Sequence, residues 1–154
     1  MPSSITIRDM DMQDFEQVLL LAEEAHAESS YKHLDFDPEV VQAMATVWFA
    51  NRNIYFAKVA VGEKKIFAMY VGYISSYYFG KDLVGLDCLL YVDPDRRGGI
   101  YAARLIKSFE DWCFSNGCKE VRPASSTGVK TEQTRGLYNA LGYNTVGHTF
   151  VKRR

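Results

Sequence analysis

The 154-residue chain is short of most features that would mark a special class of protein. It holds three cysteines, Cys88, Cys113 and Cys118, an odd number with no C-x-x-C spacing. Neither a disulfide framework nor a zinc site is expected from them, and free thiols suit a reducing, cytoplasmic compartment. Charge of one sign is missing too. Eighteen basic and nineteen acidic residues leave −1, so there is no basic stripe and direct nucleic-acid binding is not expected. Lys152-Arg153-Arg154 reads as a solvated end. Long hydrophobic runs are absent: stretches such as Val18 to Ala22 fall far short of the ~20 residues that span a bilayer. No basic stretch leads into an apolar core at the N-terminus, so no secretory leader is expected. No repeat, low-complexity run or linker divides the chain, and its length is that of one domain.

What is present is patterned. Ile5-Thr6-Ile7-Arg8 alternates as a strand. Asp11, with Asp14 three residues on, caps a helix carrying Phe15, Val18, Leu19 and Ala22 to about Ala27. A polar and aromatic loop follows. Asp37-Pro38 opens a second helix, predicted to carry Val40, Val41, Met44 and Val47 inward. Ile54–Val61 and Ile66–Tyr77 form a hairpin around Gly62–Lys65, and Leu83–Val92 is a further strand. Ala102, Leu105, Ile106, Phe109 and Cys113 share one face of a helix closed by Asn116-Gly117. Val121–Ser125 is a strand, Glu132–Leu141 a helix ended by Gly142, and Tyr143–Val151 a last strand. The expected fold is α/β, a mixed sheet flanked by helices in the order β-α-α-β-β-β-α-β-α-β. Aromatic residues, ten of them tyrosine, are expected to fill the core and line a pocket.

The stretch from Tyr91 to Leu105 is the most informative. It is a strand, a loop with Gly98 and Gly99, and a helix N-terminus. Unpaired backbone N–H groups converge there with the positive end of the helix dipole behind them, which suits a pyrophosphate. The loop lacks the Gly-Lys-Ser/Thr end of a nucleotide-triphosphate binder.

This stretch resembles the acyl-CoA motif of the GNAT superfamily of N-acetyltransferases, Arg97 matching its first position and Ala102 its last, with Ile100 where the family usually has glycine. Thr134–Tyr143, containing Leu137-Tyr138 and Gly142-Tyr143, is similar to the family's late helix. Ser125–Val129 resembles phage-encoded members. The resemblance implies acetyl transfer from acetyl-CoA to a primary amine by direct attack on the thioester, with no metal. It places the cosubstrate at Leu90, Tyr91, Val92, Arg97, Gly98, Gly99, Ile100, Tyr101, Ala102 and Thr131, the last standing where the family often has Asn. The acceptor is expected to be a small molecule, a peptide or a modified nucleotide, and a homodimer is a mild expectation. An acyl-CoA-binding sensor without chemistry is the alternative, resting on Ile100 and Thr131.

The chemistry sets the remaining demands. A lysine-like amine is protonated at pH 7.4, and neutralising it costs about 4 kcal/mol, so a base must carry off its proton. Asp87, on the strand before the glycine loop, is the first candidate base, with His26 and His33 as the others. The resemblance assigns the oxyanion donor to a backbone N–H at Leu89, Leu90 or Tyr91, and the acid facing the leaving thiolate to Tyr138. His26, Tyr31, His33 and Tyr77 are candidates for the acceptor site.

Overall fold

The structure, a computed structural model, describes residues 4–154. Five strands, β1 (Ile5–Asp9), β2 (Tyr55–Gly62), β3 (Lys65–Ser75), β4 (Val84–Val92) and β5 (Glu120–Arg122), lie in that order in one sheet. The first four are antiparallel and β5 runs parallel to β4. Among the described residues four helices accompany them: α1 (Phe15–Glu28), α2 (Pro38–Ala50), α3 (Tyr101–Ser115) and α4 (Thr131–Ala140). Among the described residues no helix is long and apolar enough to cross a membrane.

Local chemistry explains the element ends. Asp11 and Asp14 form a reciprocal capping box around a short 3-10 turn that runs into α1. Asp37 Oδ1 accepts from Glu39 N at 2.9 Å, with Pro38 at the first position of α2. The β2–β3 turn places Glu63 and Lys64 at φ +53° and +65°, the left-handed pair that a two-residue hairpin uses.

The sheet separates two cores. On one face α1 and α2 cover Met10, Val59, Ile66, Met69, Val71 and Tyr91. On the other, α3 and α4 cover Phe56, Phe67, Tyr70, Leu105, Phe109 and Tyr138. Strand β3 is therefore buried on both faces from Ile66 to Gly72. Helix α3 lies so close to the strands that a Cβ on Gly85 would sit 2.4 Å from Cys113 Sγ.

Two expectations are corrected. The last strand predicted over Tyr143–Val151 does not form; Val146, Phe150 and Val151 are exposed. Strand β5 has only three residues and Pro123, without an N–H, follows it, so it offers little edge to pair. Helix α2 also turns differently. Ala45 is its buried residue, and Val40, Met44 and Val47 are exposed.

Candidate active site

The site arises where two strands part. Strands β4 and β5 pair only at Val84–Leu86 with Glu120–Arg122, so β4 beyond Leu86 has an open edge on that side. On an antiparallel strand every second N–H points to the unpaired side, and these groups are free for a ligand there. A cleft of about 1080 Å³ fills the gap and reaches both faces of the sheet. Asp87 lines it where the strands part, Oδ1 accepting from Ala124 N at 3.0 Å. Burial pushes this carboxyl up to about 6, and the N–H groups of Ala124 and of Asp87 itself pull it back. Cys88, in the irregularity where β4 slips against β3, is pushed up to about 11 by burial and by Asp87, and stays a thiol at neutral pH.

The glycine loop forms one wall. Asp93 Oδ1 accepts from Asp95 N and starts a 3-10 turn that ends at Arg96. Gly98 then adopts φ +84°, a conformation that glycine alone adopts without strain. The first bond into α3 runs from Arg104 N to Ile100 O at 2.9 Å. The N–H groups of Gly98, Gly99, Ile100, Tyr101, Ala102 and Ala103 thus have no partner among the described residues. The Ile100 side chain is 62% exposed and stands outside the cleft, so it leaves these donors open.

Arg97 does not point at those donors. Its Nε donates to Val92 O at 2.8 Å, and its two terminal nitrogens donate to the Glu28 carboxylate, one at 2.7 Å. The guanidinium also lies 5.4 Å from the centre of the Tyr91 ring. Arg97 holds Glu28 well below the usual carboxylate range by its hydrogen bonds. The pair ties the glycine loop to the end of α1.

On the other wall Tyr138 is buried on α4, edge-on to Tyr143 with centroids 5.4 Å apart. Burial first, and Asp87 second, push its phenol above the ordinary value. A second bridge crosses the cleft: Ser30 N donates to Thr127 O at 2.6 Å, and Tyr31 Oη to Ser126 Oγ at 2.9 Å.

The chain matches the family described as the Acetyltransferase (GNAT) family over residues 9–143. It belongs to that family. No curated protein matches it by sequence. Among solved structures it is similar to aminoglycoside N-acetyltransferase AAC(6')-Iy in complex with CoA, with TM-score 0.79, 18% identity, and coverage of 100% of this chain and 97% of that one. It is similar too to glucosamine-6-phosphate N-acetyltransferase from Arabidopsis thaliana, with TM-score 0.78, 18% identity and coverage of 97% and 98%. A predicted acetyltransferase with acetyl-CoA from Clostridium acetobutylicum gives TM-score 0.77 at 14% identity, covering 97% and 96%. At these identities the structural likeness is one of fold.

The chain is therefore a GNAT acetyltransferase, an enzyme that moves an acetyl group to an amine. The acetyltransferase cleft brings together Leu90, Tyr91, Val92, Arg97, Gly98, Gly99, Ala102, Asp87 and Tyr138, with His26 and Tyr31. Other residues singled out in the sequence lie apart from it. The Tyr101 ring packs edge-on to Phe67 at 5.0 Å, so only its N–H faces the loop. Thr131 is exposed at the start of α4, His33 is exposed in the α1–α2 loop, and Tyr77 stacks on Phe79. Sequence reasoning missed Glu28, Trp48 and the Ser126–Thr127 wall, all of which line the cleft. For Glu28 the usable signal was an acidic residue at the end of α1, where the helix dipole disfavours it unless a cation answers.

Proposed function

We propose that this acetyltransferase takes acetyl-CoA as its donor and acetylates a primary amine by direct attack, in the reducing compartment that its free cysteines suit. The observation that carries this reading is the row of free N–H groups from Gly98 to Ala103, in a segment whose Gly98, Gly99 and Ala102 line a cleft beside the open edge of β4. The residues present fit the donor. A pyrophosphate needs several convergent N–H donors and no side chain among them, and Ile100 and Tyr101 both turn their side chains elsewhere. The exposed Ile100 side chain answers one of the two grounds for a non-catalytic sensor, Thr131 being the other.

Bound there, acetyl-CoA supplies the thioester that the amine attacks. Free N–H groups on the open edge of β4, over Leu89–Tyr91, donate to the thioester oxygen as it gains charge. Asp87, ionised above about pH 6, receives the amine's proton directly or through water. Tyr138, whose phenol holds its proton more tightly than usual, donates a hydrogen bond to the sulfur rather than surrendering the proton. Arg97 and Glu28 hold the loop in register with β4.

Titration of the protein with acetyl-CoA in a calorimeter tests the donor, with a micromolar dissociation constant expected. Absence of heat up to millimolar ligand would sink the reading. Tyr138→Phe is expected to lower kcat about 10²-fold while the dissociation constant for acetyl-CoA stays within twofold. Full turnover of that variant at saturating substrate takes Tyr138 out of the chemistry.

A further inference from the structure

Resting on the acetyl-transfer reading, we propose that the acceptor is a monoamine whose single charge sits on an apolar, ring-sized body, and that this body packs against α2. Three independent observations converge on it.

The first is apolar surface with nothing over it. Val40 and Met44 of α2 are 59% and 43% exposed, yet both line the cleft, with Ala22 and Ala25 of α1 among the other lining residues. Helical periodicity assigned this stripe to the core, but the face that packs on the sheet is the neighbouring one, with Ala45 buried and Trp48 and Phe49 half-buried. The cleft-facing stripe is apolar without serving the fold, and an apolar ligand removes it from water. Two polar atoms at this wall, His26 Nε2 and Trp48 Nε1, are buried without partners among the described residues. One polar substituent on the acceptor that reached either would satisfy it.

The second is charge. Among the described residues lining the cleft the carboxylates are Glu28 and Asp87, and Glu28 is already neutralised by Arg97. One carboxylate is left to meet one ammonium. Arg96 and Lys130 line the same cleft and repel additional positive charge. A polyamine or a polyamino sugar would bring charges that nothing here answers.

The third is width. Ser30 and Tyr31 are hydrogen-bonded across the cleft to Ser126 and Thr127, and a Cβ on Gly128 would already stand 3.4 Å from Ser30 Cβ. The acceptor half is therefore walled on the side of α4.

The experiment measures kcat/KM with acetyl-CoA for phenethylamine and tryptamine against spermidine and kanamycin. The apolar monoamines are expected to lead by tenfold or more. Met44→Asp, at an exposed helix position where folding is not at stake, is expected to raise KM for phenethylamine about tenfold, with the larger part of the change in KM, and to lower it for spermidine. A preference for the polycations, or an unchanged KM in Met44→Asp, overturns the proposal. So does faster transfer from hexanoyl-CoA than from acetyl-CoA that Met44→Asp abolishes, since the wall would then hold an acyl chain. Thiol release with polycations alone leaves acetyl transfer standing and removes only this acceptor class. No thiol release with any amine, although acetyl-CoA binds, removes the transfer reading and this one with it.

Discussion

Asp87 serves two opposed demands. As the proposed base it must lose its proton near neutral pH, and as a half-buried group on β4 it is disfavoured when charged. Burial wins by enough to bring it to about 6, although Ala124 N donates to it. A carboxyl whose folded value lies above its unfolded value of about 3.8 binds its proton more tightly in the folded state. Stability is then lost as pH rises from about 3.8 to 6, and the loss persists above that. The cost is at most ~3 kcal/mol at neutral pH, from 1.36 kcal/mol per unit. Asp87→Asn can still accept from Ala124 N and carries no charge. It is expected to raise Tm by several degrees at pH 7.5, with the gain vanishing toward pH 4, while kcat/KM falls about 10²-fold and the rate profile loses its acid limb near pH 6. Scanning calorimetry at the two pH values and a pH–rate profile check this. A lower Tm for the variant at pH 7.5 would show that the carboxylate stabilises the fold.

At the scale of elements a bidentate ion pair and a cap join β1 to the start of α1. Arg8 donates to both oxygens of Asp14 at 2.7 and 2.8 Å, and Asp14 Oδ2 also accepts from Asp11 N. The Arg8 hydrogen bonds hold Asp14 below the usual carboxylate range, so its contribution is present above that range and lost as pH falls, the reverse of Asp87. Arg8 is 40% exposed, which discounts the ion pair but not the cap. Asp14→Ala is expected to cost about 2–3 kcal/mol at pH 7, with the deficit shrinking in acid; urea unfolding at pH 7 and pH 3.5 measures it. The cap in this joint was legible in the sequence because it is a local pattern; its ion pair with Arg8 was not. The hairpin at Gly62–Lys65 and the amphipathic face of α3 were legible too. What escaped was set by tertiary partners. Periodicity finds the apolar residues of α2 but not which of two adjacent stripes meets the sheet. A strand pattern at Tyr143–Val151 needs an edge, and β5 is too short to provide one. At the site, the loop and Tyr138 were visible as motifs. The partner of Arg97 was not, because 69 residues separate it from Glu28.

At the scale of the whole molecule, the sheet keeps two jobs on two faces and the parting of β4 and β5 lets them meet. The glycine loop leads into α3 on one face, and α1 and α2 cover the other. The Arg97–Glu28 pair crosses between them, from the loop to the last residue of α1. Donor binding on one face should therefore brace the other, and the whole fold should report it. Acetyl-CoA at 100 times its dissociation constant stabilises the folded state by about 2.7 kcal/mol. For a chain of this size that raises Tm by roughly 5–10 °C. Arg97→Ala leaves the N–H donors of Gly98–Ala103 in the chain but unties the loop that presents them. Its dissociation constant is expected to rise about tenfold, and at the same ligand concentration the stabilisation falls by about 1.4 kcal/mol. Glu28→Gln separates the two roles of Arg97. If the guanidinium acts only as a tie, Glu28→Gln weakens the thermal shift as Arg97→Ala does. If the guanidinium instead reaches the donor once released, Glu28→Gln strengthens the shift, and the place of Arg97 in the site changes from tie to ligand.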